Sequence, residues 1–341
     1  MRGEKDRIAA LVPNWLGDVA MCTPALRALR RRFPDAKLTV AGKGSACGLL
    51  AGLDWIDHFE VLPERPGAWA MAGLARRLAP HARDLCVVFP HSIRAAILAR
   101  FTGARQRLAY ARAGRRFLLT NTVPPHKKAG RIAPRYMAFE YLDLLAPLDC
   151  ADDGAGLELH ADAAERAAVR ELLQDGGPVV ALAPGAAFGP SKCWLPERYA
   201  AVADALHEAR GARCVLVTGP GEEATRDAVL KAARHPMLDA NGGQPTLARL
   251  KAVLAEADLL VGNDSGPRHI AIAFDTPVIC VMGSTSPKYT ESPWERGAEL
   301  RVDVDCGPCQ KPVCATDHRC MTEVGVDTVM QAALAHLPKS D

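Results

Sequence analysis

Short apolar runs alternate with amphipathic stretches and glycine-bearing turns along most of this 341-residue chain. RIAALVP at 7–13 predicts a short apolar strand, and Asn14-Trp15-Leu16-Gly17-Asp18 follows as a turn. PALRALRRRF at 24–33 predicts a helix with Ala25, Leu26, Leu29 and Phe33 on one side and arginines on the other. Pro24 suits a first helical turn with Thr23 as its cap, which leaves Asp18 in the loop. Further strands are expected at 37–41, 59–62, 85–89 and 108–110, and helices at 68–78, 95–101 and 135–145. Residues 112–116 and 124–128 read as polar loops.

A second series begins near Pro178, with a strand at 179–183, a loop at 184–190 and a helix at 196–210. A strand at 214–218, a glycine turn and helices at 224–233 and 247–255 follow. The stretch DLLVGNDSGPRHIAIAFDTPVICVMGSTSP (258–287) then compresses strand, turn, helix and strand into thirty residues. Pro267 fits the first turn of its helix, with Ser265 or Asp264 as cap, and the N–H groups there favour an anion such as a diphosphate. An ordinary βαβ unit with a polar turn has the same pattern. The alternation predicts an α/β fold of two Rossmann-like domains facing across a cleft. The acidic, turn-rich segment 147–156 sets the junction, giving domains 1–155 and 156–341, with the final helix expected to pack back on the first domain.

Composition is that of an ordinary globular chain, 49% apolar and 24% charged. No run of eighteen apolar residues and no leader-like N-terminus occurs, so a cytoplasmic location is expected. Charge changes the picture more. The net +3 divides into +12 over residues 1–150 and −9 over 151–341. No acidic residue lies between Asp84 and Glu140, an interval that holds Arg94, Arg100, Arg105, Arg107, Arg112, Arg115, Arg116, Lys127, Lys128, Arg131 and Arg135. A polyanion should meet the first half. Nucleic acid would satisfy the same charges, but the chain has no helix-turn-helix, zinc-finger or RNA-binding module, and no nucleic-acid partner is expected.

Three segments taken together resemble a known family: Asn14-Trp15-Leu16-Gly17-Asp18, then PGAAFGPSKCW at 184–194, then Gly262-Asn263-Asp264-Ser265-Gly266-Pro267-Arg268-His269. With Cys306-Gly307-Pro308-Cys309 they are similar, in order and spacing, to the ADP-heptose:lipopolysaccharide heptosyltransferases of glycosyltransferase family 9, most closely the heptosyltransferase II branch. The resemblance implies a GT-B architecture and an inverting transfer of L-glycero-D-manno-heptose from ADP-heptose to the lipopolysaccharide inner core, onto the first heptose. Kdo-lipid A as acceptor, as in heptosyltransferase I, or another nucleotide sugar, is the alternative. A cytoplasmic enzyme in peripheral contact with the inner membrane follows from the same resemblance.

Candidate roles then fall on named residues. Asp18 is the expected catalytic base, since inversion needs a carboxylate near the acceptor hydroxyl; capping of the first helix is the plainer reading. Lys192 is expected to neutralise the donor diphosphate, with Ser191 and the 185–187 backbone as lesser contacts. Glu222 or Glu223, the latter preferred, would hold the ribose, the other serving as a cap. Asp264 is expected at the donor sugar and the N–H groups of Ser265, Gly266 and Arg268 at the phosphates. His269 is either a donor contact or a buried, satisfied histidine. Arg268 departs from the apolar residue expected of the family and would add a phosphate contact or pair with an acid. Arg94, Arg112, Arg115, Arg116, Lys127 and Arg131 are expected to bind the anionic acceptor. Sugar transfer on this architecture requires no cofactor. Cys306, Cys309, Cys314 and Cys320, with His318 nearby, have enough soft ligands for a structural zinc; reduced thiols or a disulfide are the other readings.

Overall fold

The computed structural model describes residues 5–64, 67–173, 176–240 and 245–337. The chain divides into two compact units after His160, a few residues beyond the boundary read from sequence. In the first, β1 (Arg7–Leu11), α1 (Leu16–Arg32), β2 (Lys37–Lys43), α2 (Gly44–Leu50), β3 (His58–Leu62), α3 (Ala68–Leu78), β4 (Leu85–Val88), α4 (Ile93–Phe101), β5 (Gln106–Tyr110) and β6 (Asn121–Val123) alternate. A small hairpin, β7 (Lys127–Lys128) and β8 (Arg131–Ile132), and α5 (Met137–Leu144) complete it. The six-stranded sheet is parallel in the order β3-β2-β1-β4-β5-β6, so strand order reverses between β1 and β4. Loops leaving the carboxyl ends of these two strands, 12–15 and 89–92, open at the usual ligand-binding point of such sheets. Leu74, Leu78, Leu98 and Ala99 of α3 and α4 pack on Ala9, Leu11, Cys86 and Val88 of the sheet, while α1, α2 and α5 pack together.

The first helix differs from its expected form. It starts at Leu16, not Pro24, so Asp18 lies in its first turn and Pro24 in its interior. A proline there removes the N–H that would bond the carbonyl of residue 20. The Thr23 hydroxyl donates to that Ala20 carbonyl at 2.7 Å and so compensates for the loss.

The second unit runs α6 (Ala163–Leu173), β9 (Val179–Ala183), α7 (Pro196–Arg210), β10 (Arg213–Leu216), α8 (Glu223–Ala232), β11 (Leu238–Asp239), α9 (Leu247–Glu256), β12 (Leu259–Asn263), α10 (Gly266–Ala273), β13 (Val278–Val281), β14 (Gly297–Leu300), α11 (Arg319–Thr322) and α12 (Val326–His336). Its parallel sheet has the order β11-β10-β9-β12-β13-β14, with the same reversal, here between β9 and β12. Val180, Leu182, Val261 and Ile279 of the sheet, Trp194, and Tyr199 and Leu206 of α7 share one core. The last helix, expected to return to the first domain, instead places Val329 and Ala333 in this core against α7 and β14. Among the described residues no helix is long and apolar enough to cross a membrane.

The segment joining the units is held to the first. Arg27 of α1 donates to both oxygens of Asp153 at 2.6 and 2.7 Å, to Glu158 at 2.9 Å and to the Gly156 carbonyl at 3.0 Å. Trp55 Nε1 donates to Glu158, and Glu158 N–H to Thr23 Oγ1. His160 sits where a Cβ on Gly52 would fall 2.2 Å from its ring, and Gly52 has φ +94°, so only glycine suits that position. Hydrogen bonding to Arg27, against the opposing cost of burial, holds the Asp153 carboxyl far below its usual range. Its contribution is therefore full at neutral pH and is lost as pH falls below the ordinary carboxylate range. Arg27→Gln is expected to lower stability by about 1–2 kcal/mol at pH 7. In scanning calorimetry the deficit should narrow in acid; one that stayed constant to pH 2 would contradict the pairing.

Candidate functional site

The loops after β9 and β12 meet at one side chain. Asn263, the last residue of β12 and fully buried, accepts from Trp194 N–H at 3.0 Å and from the Tyr199 hydroxyl at 2.9 Å. Its amide donates to the Pro184 carbonyl at 2.7 Å. All three of its neighbours belong to the second family-like segment or to the helix behind it, so Asn263 joins that segment to the third.

Asp264 comes next. It is 2% exposed, and four bonds hold it. Lys192 Nζ donates to its carbonyl and to Oδ2, both at 2.7 Å; Thr285 Oγ1 donates to Oδ2 at 2.7 Å; and Arg268 Nη1 donates to Oδ1 at 3.1 Å. Burial opposes its ionisation, yet the charges of Lys192 and Arg268 hold its pKa far below the usual carboxylate range. Asp264 is thus a permanent anion that fixes the Lys192 ammonium at the start of α10. Of the N–H groups there, Pro267 has none and that of Arg268 is turned to the Ser265 carbonyl.

Arg268, His269 and Ser191 are all buried. Arg268 is 1% exposed and pairs with acids, the second of its two expected roles: it forms a fork on Glu295, with both bonds at 2.7 Å, and also contacts Glu299 and Asp264. Its apolar stem and buried charge replace the apolar residue expected there, with acids supplied by the neighbouring strand and loop. His269 is buried and its pKa falls to about 3, through burial first and the Arg268 charge second, so it is neutral near pH 7. Ser191 is also buried: its hydroxyl donates to the Lys311 carbonyl and lies 3.0 Å from Ser284 Oγ, while its N–H donates to the Pro312 carbonyl. It anchors the Lys192 turn to the following chain and leaves its neighbour, Lys192, to face the site.

The two glutamates separate clearly. Glu223 is exposed at the start of α8 and accepts from Gly221 N–H. Glu222 turns inward; it accepts from Gly219 N–H at 2.7 Å, and a Cβ on Gly185 would fall 2.0–2.1 Å from its carboxylate. That close approach places Glu222, not the preferred Glu223, against the Gly185 loop at the carboxyl ends of β9 and β10.

The four C-terminal cysteines, His318, Ser191 and Ser284 line one cavity. All eleven cysteines of the chain are free thiols. Cys306 and Cys314 lean on Thr316 Oγ1 at 3.9 and 3.4 Å, and His318 Nε2 lies 3.1 Å from the Ser191 carbonyl. Among the described residues no three His, Cys, Asp or Glu side chains are placed to hold a metal ion. The cavity therefore has soft ligands in its wall but no assembled tetrahedral set.

In the first unit Asp18 is half-buried, and the buried Tyr141 hydroxyl donates to its Oδ1 at 3.3 Å. Burial and then the Asp18 charge push the phenol pKa well up, so Tyr141 stays a neutral donor. Sequence reasoning missed Tyr141 because nothing in the pattern of α5 distinguishes it from a core aromatic. Beside it, Glu140 is 3% exposed and meets Arg112 Nη2 and His91 Nε2, each at 3.1 Å. Arg112 thus stands at the carboxyl ends of β4 and β5 with one carboxylate behind it. Arg115 is not part of any solvated basic face: fully buried, it donates to the carbonyls of Pro90, Ser92 and Tyr110 and fastens the loop after β4 to the turn after β5. Arg94, Arg116, Lys127 and Arg131 are exposed as expected.

The family profile "Glycosyltransferase family 9 (heptosyltransferase)" matches residues 71–319. Lipooligosaccharide heptosyltransferase 2 of Haemophilus influenzae is 26% identical over 309 residues, 86% of this chain and 88% of that protein. Among solved structures, a family 9 glycosyltransferase from Veillonella parvula superposes with a TM-score of 0.87 at 22% identity, covering 98% of each chain. ADP-heptose LPS heptosyltransferase II of Escherichia coli gives 0.78 at 21% identity, covering 96% of this chain and 98% of that one.

The cage around Asp264 makes a prediction about stability. Arg268→Met leaves Asp264, Glu295 and Glu299 without their shared cation and should cost about 3–5 kcal/mol. Lys192→Met leaves Arg268 and Thr285 on Asp264 and should cost less than half as much. Urea unfolding of both variants checks this order; equal losses would mean that Lys192 is as structural as Arg268.

Proposed function

The chain belongs to glycosyltransferase family 9, and from that membership we infer that it is an inverting enzyme moving L-glycero-D-manno-heptose from ADP-heptose to the lipopolysaccharide inner core, as the second heptose on the first. The observation that carries the reading is the Lys192–Asp264 pair at the start of α10, within the segment the family profile covers. An ammonium fixed there meets the charge that accumulates on a departing diphosphate. In this reading Ser265 and Gly266 add N–H donors, and Glu222 accepts from a ribose hydroxyl. In the first unit Asp18, oriented by Tyr141, takes the proton of the acceptor hydroxyl as its oxygen bonds to the anomeric carbon. The bond from that carbon to the phosphate oxygen breaks on the opposite side and ADP leaves with the electron pair.

The acceptor reading rests on charge. Arg112, Arg94, Arg116, Lys127 and Arg131 lie in the acid-free interval and suit the phosphates and carboxylates of an inner core. Because such an acceptor is lipid-linked, the enzyme works in the cytoplasm in peripheral contact with the inner membrane. No step calls on a metal or an organic cofactor.

Two measurements test the roles. Asp18→Asn should lower kcat by at least about a thousandfold, with ADP-heptose binding unchanged by calorimetry; full activity would remove Asp18 from the chemistry. Glu222→Gln should weaken ADP binding about tenfold, the loss of one charge-assisted hydrogen bond, and Glu223→Gln should leave it within about twofold. The reverse order would restore Glu223 as the ribose contact. Product mass from truncated cores ending in Kdo or in a first heptose separates the two acceptor readings.

A further inference from the structure

The first unit carries an uneven outer surface. Trp69 is 92% exposed, Phe117 76% and Phe101 68%. Trp69 belongs to α3, Phe101 to α4, and Phe117 to the short 3-10 turn Arg115–Leu118. These three elements pack side by side, α3 against α4 and α4 against the turn. Their inner residues, among them Leu74, Leu78, Leu98 and Ala99, already fill the core against the sheet.

Helical spacing shows the outward stripes to be mixed by design of the sequence. In α4, Ile93, Ile97, Arg100 and Phe101 recur at four, three and one residues and share a face, with Ile93 46% exposed. In α3, Trp69 and Arg76 lie seven residues apart, two turns along the same side, and both are exposed. Arg116 is exposed beside Phe117. No acidic residue occurs from 85 to 139, the interval that holds α4 and the turn. A monomer in water does not usually show three such aromatics among arginines on one layer. Aromatic rings between cations, with no carboxylate in residues 85–139, match the interface of an anionic bilayer, where rings enter the headgroup level and guanidinium groups meet lipid phosphates.

We propose that the outer face of α3, α4 and the Arg115–Leu118 turn docks on an anionic lipid bilayer, with Trp69, Phe101 and Phe117 inserted and Arg76 and Arg100 on lipid phosphates. The proposal deepens the membrane contact inferred above and names the surface that makes it. Docking by this face brings the enzyme to the leaflet in which a lipid-linked acceptor lies, independently of binding that acceptor.

Flotation with vesicles of phosphatidylglycerol and phosphatidylethanolamine, against vesicles of phosphatidylcholine alone, tests it. The wild-type chain should float with the anionic vesicles, and retention should fall as salt rises from about 0.1 to 0.5 M. The variant W69S/F101S/F117S should lose at least about tenfold in vesicle affinity, while heptose transfer to a deacylated, soluble acceptor stays within twofold. That second readout shows that the variant is folded. R76Q/R100Q should also lose about tenfold on anionic vesicles and nothing on neutral ones. Wild-type-like flotation of the aromatic variant overturns the proposal. So does failure of the wild type to bind anionic vesicles, including the case where sedimentation reveals a dimer that the aromatic substitutions dissociate. Absence of transfer with vesicle binding intact would instead overturn the enzymatic reading and leave the docking face standing.

Discussion

A buried carboxylate between two cations organises the second unit. Asp264 has almost no contact with water, so its charge is tolerable only while Lys192, Thr285 and Arg268 keep their places. Each of these comes from a different part of the chain: the loop after β9, the loop after β13, and α10. Arg268 carries the requirement further, to Glu295 and Glu299. The cage therefore fixes where the Lys192 ammonium stands before any ligand arrives. Preorganisation of this kind is worth most where charge develops suddenly, as on a departing diphosphate, because no reorientation is then needed.

The first unit uses its charges in three ways that a count cannot separate. Arg115 and Arg27 are internal fasteners, one bonded to carbonyls and the other to the joining segment. Arg112 is intermediate, held by Glu140 and His91 but at the strand ends where a ligand would come. Arg94 and Arg116 are free to meet solvent. A run of eleven basic residues in sequence is thus distributed over core, site and surface. Its long-range field still attracts anions, because buried and exposed charges contribute alike to the potential around the unit.

The strand and helix pattern was legible where apolar runs were long and bounded by glycine or proline. β9 at Val179–Ala183 and α3 at Ala68–Leu78 fall where the spacing predicts them. Three helical and strand pieces had no such mark: α2 is a short run of small residues, α6 has few apolar positions, and β14 is a half-exposed edge. Pro24 misled for a specific reason. Its position near the start of an apolar pattern looks like a first turn, and only the Thr23 bond to the Ala20 carbonyl shows how a proline fits the middle of a helix. Site residues followed the same division. Glycine-rich segments point to loops at strand ends, but which side chain of a loop turns outward depends on three-dimensional partners. Ser191 and Lys192 are neighbours in sequence and face opposite ways, and Glu222 and Glu223 do the same.

The C-terminal cysteine segment also bears on where Lys192 stands. Residues 301–318 form no regular element, yet they bond repeatedly to the loops after β9 and β13. The Ser191 N–H and hydroxyl donate to the Pro312 and Lys311 carbonyls, Gln310 N–H donates to the Ser284 carbonyl, and His318 reaches the Ser191 carbonyl. A buried serine with its hydroxyl and backbone engaged in this way cannot rotate, and the residue after it is Lys192. The irregular segment thus sets one end of the lysine while Asp264 sets the other. Two weakly structured stretches constrain each other, which keeps the segment close to the 184–194 loop.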